Sequence, residues 1–158
     1  MQPPFDGVDG VLKTVVGYLG GTLPNPTYDQ ICTGVTGHAE AIQIEYDPAK
    51  ISYEKLLDLF WKNIDPTDGG GQFADRGTQY RTAIFYHSAE QKQQAILSKE
   101  KLERSGKFKE KIATEIVPVS VWYPAEGYHQ CYYQKNPMHY GMYKTGSGRK
   151  RFLEETWE

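Results

Sequence analysis

Residues 37–48 read GHAEAIQIEYDP. Ile42, Ile44 and Tyr46 alternate with Gln43 and Glu45, the period-two pattern of a strand with one buried face. Asp47-Pro48 stops the run, because proline has no N–H for a ladder and suits a turn. Just ahead of the alternation stand an imidazole and a carboxylate, His38 and Glu40. They are approached through Gly34 and Gly37, which let backbone come close to other atoms. A charged residue at a strand end is ordinarily solvated, so Glu40 has a plain explanation beside any functional one.

On the N-terminal side, VLKTVVGYL reads as a strand at 11–19, rich in β-branched and aromatic residues and ended by Gly20-Gly21. A polar loop, TLPNPTYDQICTGVTG, leads to the second strand at 40–46. Ser52 then caps a helix with Tyr53, Leu56, Leu57, Phe60 and Trp61 on one face, ending near Asn63. The glycine-rich loop DPTDGGGQFADRGTQY follows, of a length usually reserved for function. RTAIFYH (81–87) is a third strand, and Ser88 with Gln91 forms a capping box for a helix over 89–104, ended by Gly106. A strand near 113–117 and a short extended piece come next. From Glu126 onward the chain reads as aromatic, basic and irregular, with KNPMHYGMYKTGSGRKRF as a solvated tail.

The element order is strand, loop, strand, helix, strand, helix, strand, which makes an α+β fold. Its middle portion is three-quarters of a two-layer split β-α-β (ferredoxin-like) plait, with long loops and an irregular C-terminal tail. Residues 2–8 can supply a short helix, since proline is tolerated in a first turn, but the plait's first strand is absent from this chain. The 158 residues suit one domain, 1–158, incomplete at its N-terminus.

A net charge of −2 and a pI near 6.1 give no electrostatic case for nucleic acid or an anionic membrane. No apolar run approaches the roughly 20 residues of a membrane span. The two cysteines, Cys32 and Cys131, are too few for a disulfide scaffold, which makes a reducing cytoplasm the default setting. His38, His129, His139 and the cysteines have no metal-ligand spacing.

The loops carry the remaining polar residues: Asn25, Tyr28 and Asp29 in one; Asp75, Arg76, Gln79 and Tyr80 in another; His129, Cys131, Tyr132 and Tyr133 in a third segment, GYHQCYYQKNP. If these converge on Glu40, the site holds a carboxyl group, phenols and a second acid. Burial among aromatic rings raises a carboxyl pKa and yields a proton donor near neutral pH, while tyrosine hydroxyls bind a polar oxygen on a substrate. Plainer roles stand beside these: Tyr28 and Tyr80 as walls, Asp75 paired with Arg76 or Arg81 at the surface, Cys32 as a small hydrophobe and His129 as a structural histidine.

Taken together, GYLGG (17–21), NPTYDQICTGVTGHAEA (25–41), YDP (46–48), FADRGTQYR (73–81), TEI (114–116), WYPAEGYHQ (122–130) and KNP (135–137) resemble the A-type peptide methionine sulfoxide reductases. The resemblance runs through nearly the whole chain, and GHAE with a downstream GTQYR is its specific part. It implies thiol-dependent reduction of methionine-S-sulfoxide, protein-bound or free, as repair under oxidative stress. Glu40 then resembles the acid that protonates the sulfoxide oxygen, Tyr28 and Tyr80 the phenols that hold that oxygen, and Asp75 a second carboxylate ordering the site. The resemblance implies no bound cofactor, a thioredoxin or other thiol as reductant, and a monomer.

Two departures qualify it. The family's nucleophile lies in a GCFW motif, in a stretch that reads like GCFWCM-PPF. Met1 aligns with its internal methionine, so a cysteine or selenocysteine, with the Phe-Trp pair of the methyl pocket, is expected just ahead of Met1. Many relatives also carry resolving cysteines in a Gly-rich tail, whereas GSGRKRFLEETWE has none. Cys131 is the candidate resolving cysteine; without it, a thiol reduces the sulfenic acid directly. Two other readings stay open at this point, a catalytically dead relative that binds methionine or methionine-sulfoxide peptides and a fragment unstable by itself.

Overall fold

In the computed structural model, which describes residues 1–157, seven strands and six helices follow in chain order. They are β1 (Val11–Leu19), α1 (Tyr28–Cys32), β2 (Ala39–Tyr46), α2 (Tyr53–Trp61), β3 (Gly71–Gln72) and β4 (Asp75–Arg76). After a 3-10 turn at Thr78–Tyr80 come β5 (Ala83–Tyr86), α3 (Ala89–Arg104), β6 (Glu115–Pro118) and β7 (Tyr123–Pro124). A second 3-10 turn, Gly127–His129, leads to α4 (Tyr132–Lys135), α5 (Pro137–Gly146) and α6 (Arg149–Trp157).

The alternating stretch of GHAEAIQIEYDP is β2, and its register against β1 is antiparallel, with Thr14 opposite Ile44, Val16 opposite Ile42 and Tyr18 opposite Glu40. β7 adds to the other edge of β1 at Gly17 and Tyr18. Only glycine fits at position 17, because a Cβ there would lie 2.5 Å from the Trp122 ring and 2.6 Å from the Tyr123 carbonyl oxygen. Where β7 ends, the Gln130 side chain takes over the ladder. Its Oε1 accepts from the Val16 N–H and its Nε2 donates to the Val16 carbonyl, each at 2.8 Å.

β5 and β6 form a separate parallel pair joined through α3, a β-α-β unit. The main core lies between this unit and α2: Leu57, Trp61, Ile64, Ile84, Ala95, Leu102 and Ile112. Each leucine and isoleucine among them contributes roughly 1.5–3 kcal/mol of burial. The polar end of Trp61 is satisfied by Ser98, at 3.0 Å. A second cluster seats Phe5, Ile51 and Leu56 against Ile42 and Ile44, the inward face of β2. Between β2 and β5 lies a cavity of about 830 Å³, lined by residues 39–44 on one side and 82–85 on the other.

The α+β class holds, and several details differ from the sequence reading. Residues 2–8 form consecutive turns rather than a helix, since Pro3 and Pro4 withhold donors and Gly7 turns away at φ +81°. The loop before β2 contains α1, closed by a reciprocal capping box between Thr27 and Gln30. At α3 the Ser88 cap forms as expected, but the Gln91 side chain reaches back to the His87 N–H, one residue early for a capping box. The C-terminal segment is helical, not irregular. α6 is docked by Phe152 on Phe73 and by Trp157 on Phe108, with ring centroids 5.5 and 6.3 Å apart. No helix among the described residues is long and apolar enough to cross a membrane.

Candidate active site

His38 is 2% exposed, and both ring nitrogens are engaged. Nδ1 accepts from the Gly21 N–H at 3.1 Å, which leaves the proton on Nε2 to donate to the Leu23 carbonyl at 2.7 Å. Gly21 must lack a side chain, because a Cβ would lie 2.3 Å from the His38 nitrogen and 2.4 Å from the Thr36 carbonyl oxygen. The imidazole of GHAE is thus a buried fastener between the end of β1 and the start of β2. It holds the turn that presents Glu40.

Glu40 lines the cavity together with Asp75 and Tyr80. Burial is the larger cause of the upward shift of its carboxyl, from 4.5 to about 7, and the negative charge of Asp75 adds to it. Tyr80 ends the 3-10 turn that follows β4, and burial with the charges of Glu40 and Asp75 pushes its phenol up to about 12. It stays a hydrogen-bond donor through the whole neutral range.

Asp75 sits on β4, opposite Gln72 of β3. It pairs with neither arginine beside it in sequence: Arg76 binds Asp68, and Arg81 binds Glu115. Asp75 instead accepts from the Tyr143 hydroxyl of α5. Burial raises its pKa, and Arg149 of α6 opposes that rise. The Arg149 guanidinium lies 4.5 Å from the centre of the Phe73 ring and donates to the Asn63 carbonyl at 2.7 Å. Tyr140, Tyr143, Lys144 and Arg149 all line the cavity, contrary to the expectation of a solvated tail. The i, i+3, i+4 spacing of Tyr140, Tyr143 and Lys144 is the signal that would have placed them on one helix face.

Tyr28 stands at the flank of this group and is not part of the cavity wall. Its phenol is raised first by a hydrogen bond with Cys32, then by burial, with Tyr80 and Glu40 contributing charge. Its backbone N–H donates to Glu126 Oε1 at 3.0 Å, and the buried Tyr18 hydroxyl donates to Oε2 of the same carboxylate at 3.2 Å. The His129 ring lies 4.2 Å from the Tyr28 ring. Glu126 and His129 therefore hold Tyr28 in place, a role not read from the sequence.

The other candidates fall outside. Cys32 is exposed, and neither cysteine lines the cavity. Cys131 is half-buried at φ +52°, its N–H donating to Gln2 Oε1 at 2.8 Å. Tyr132 bonds His139, and Tyr133 bonds Asp6. Asn25 and Asp29 are exposed, and Gln79 is buried.

A half-buried acid near neutrality, a second carboxylate and a phenol on one cavity can protonate an oxygen that leaves. The sequence profile described as peptide methionine sulfoxide reductase matches residues 1–158. The peptide methionine sulfoxide reductase MsrA of Bacillus velezensis is 57% identical, over 99% of this chain and 89% of that protein. MsrA of Listeria monocytogenes is 51% identical, over 100% and 89%. Among solved structures, reduced Mxr1 from Saccharomyces cerevisiae superposes with a TM-score of 0.75 at 38% identity, covering 84% of this chain and 76% of that one. Methionine sulfoxide reductase A of Corynebacterium diphtheriae gives 0.72 at 38% identity, covering 82% and 66%.

Proposed function

This chain belongs to the peptide methionine sulfoxide reductase family, whose reaction is the reduction of methionine sulfoxide to methionine, and we propose that Glu40 is the acid of that reaction. The observation that carries this is the position of Glu40 on the cavity, beside Asp75 and Tyr80, with its carboxyl held at about 7. A thiolate or selenolate attacks the sulfoxide sulfur as Glu40 delivers its proton to the oxygen. The S–O bond of the substrate breaks, methionine leaves, and the oxygen stays on the enzyme as a sulfenic or selenenic acid. One thiol then displaces water to form a mixed disulfide (a selenenyl sulfide when selenium attacks), and a second thiol releases the enzyme and a disulfide.

In this reading Tyr80 donates to the sulfoxide oxygen from the cavity wall and Tyr28 from its flank. Asp75, which accepts from Tyr143 and whose charged form Arg149 favours, raises the affinity of Glu40 for its proton. The family resemblance calls for a thiolate or selenolate as the attacking group, and neither Cys32 nor Cys131 lines the cavity. The match over residues 1–158 supports reading the chain as one domain. Preference for the S epimer, a thioredoxin-like or small-molecule thiol as reductant, Cys131 as the candidate resolving cysteine with direct thiol reduction in its place otherwise, a monomeric state and a cytoplasmic setting belong to the same proposal, on the strength of the resemblance and the composition.

The test is turnover of an S-configured methyl sulfoxide with excess dithiol, by the 1–158 chain and by the same chain preceded by a GCFW strand. The extended protein is expected to turn over, more slowly above about pH 7, and E40Q to lose roughly 10²–10⁴-fold. Turnover by the 1–158 chain that C32S or C131S abolishes would overturn the assignment of the nucleophile.

A further inference from the structure

α5 has two chemically different faces. At 100° per residue, Tyr140, Tyr143 and Lys144 point to one side, which is the cavity wall. Met138 and Met142, one turn apart, point to the other. They are 79% and 70% exposed, a paired thioether patch on the outside of the helix that closes the site. The chain has three methionines, and the third, Met1, is 37% exposed on the cavity itself.

We propose that Met138 and Met142 are oxidised in place and that their sulfoxides are substrates of a second copy of this chain. The proposal rests on reading the protein as a methionine sulfoxide reductase. A peroxide transfers one oxygen to an exposed thioether, giving a sulfoxide and water, and nothing in the fold shields either sulfur. Because the change falls on a solvent-facing side, the added polarity costs the fold little, in contrast to oxidation of a buried methionine. Repair runs between molecules for a geometric reason. The outer face of α5 cannot enter the cavity that its inner face lines without breaking the Tyr143 contact to Asp75. A second molecule meets no such barrier. Residues 134–139, which include Met138, are exposed throughout and offer the sulfoxide to another copy's site.

The experiment treats the chain preceded by a GCFW strand, the same protein as in the turnover test, with a limiting amount of hydrogen peroxide and follows one-oxygen adducts by peptide mass spectrometry. Met138 and Met142 are expected to oxidise within about twofold of N-acetylmethionine and ahead of Met1. Dithiol is then added. About half of each adduct is expected to revert, because peroxide makes both epimers and each enzyme type takes one. The rate per molecule is expected to rise in proportion to protein concentration. Adducts that form more slowly than on Met1, that persist, or that revert at a rate independent of concentration overturn the proposal. A free S-configured methyl sulfoxide in the same tube separates the two failures: its turnover with persistent adducts refutes only self-repair, and its survival refutes the reductase reading as well. M138L/M142L, which alters no cavity residue, is expected to keep full activity on the free sulfoxide and to show no adducts on α5.

Discussion

Replacing Glu40 by glutamine tests the electrostatics of the site without requiring turnover. The carboxyl is held at about 7 in the folded protein against an ordinary 4.5, so the folded state binds its proton more tightly than the unfolded chain does. Below pH 4.5 both states are protonated and Glu40 costs nothing. As the pH rises from 4.5 towards 7, the unfolded chain gives up its proton first, and folding becomes less favourable. Above about 7 the penalty is complete, and for a shift of this size it approaches ~3 kcal/mol. Glutamine occupies nearly the same volume and has no proton to lose. Urea denaturation of wild type and E40Q at matched pH values is expected to show E40Q gaining on wild type across that window, then a constant gap. Asp75 and the other titrating groups are present in both proteins, so the difference isolates Glu40 and its coupling to Asp75. Stability curves that run parallel from pH 4 to 8 would refute the claim that this carboxyl is driven neutral by its surroundings.

Removing Arg149 takes away the charge that opposes protonation of Asp75, so the Asp75 carboxyl of R149A is expected to titrate higher than in wild type, and R149K is expected to restore much of the difference. An NMR titration of the aspartate carboxyl carbons reads this directly. H38L leaves the half-buried Gly21 N–H and Leu23 carbonyl without partners and is expected to cost about 1–3 kcal/mol in denaturant titrations, although the imidazole touches no substrate. C131G relieves a left-handed backbone at φ +52° while keeping the N–H bond to Gln2, and is expected to stabilise by up to about 1 kcal/mol in the same titrations.

Where local rules and tertiary demands agree, the sequence is a sufficient guide. β1 spans 11–19 as the run of β-branched residues indicates, and α3 spans 89–104 between Ser88 and Gly106. Each boundary is set by residues within a few positions of it. The acidic and phenolic candidates on two loops were legible as well, since Asp75 and Tyr80 do meet Glu40 on one cavity. The C-terminal helices were not. α5 turns a polar, aromatic face towards the cavity and its methionines towards water, the reverse of the pattern by which an amphipathic helix is recognised. Gly141 and Gly146 weaken its propensity further.

By itself, then, the sequence determined β1, β2, α2 and α3, the α+β class, and the chemistry available: a carboxyl at the mouth of β2, a second acid, and tyrosines in loops. Only the tertiary structure decided which of these share a cavity, that His38 is a fastener, that Glu126 and His129 hold Tyr28, and that Arg149 and Tyr143 reach Asp75. The reason lies in range. Caps, turns and alternation act over a few residues, whereas the proton affinity of Glu40 depends on desolvation and on a charge 35 positions away, and both exist only when the chain has closed around them.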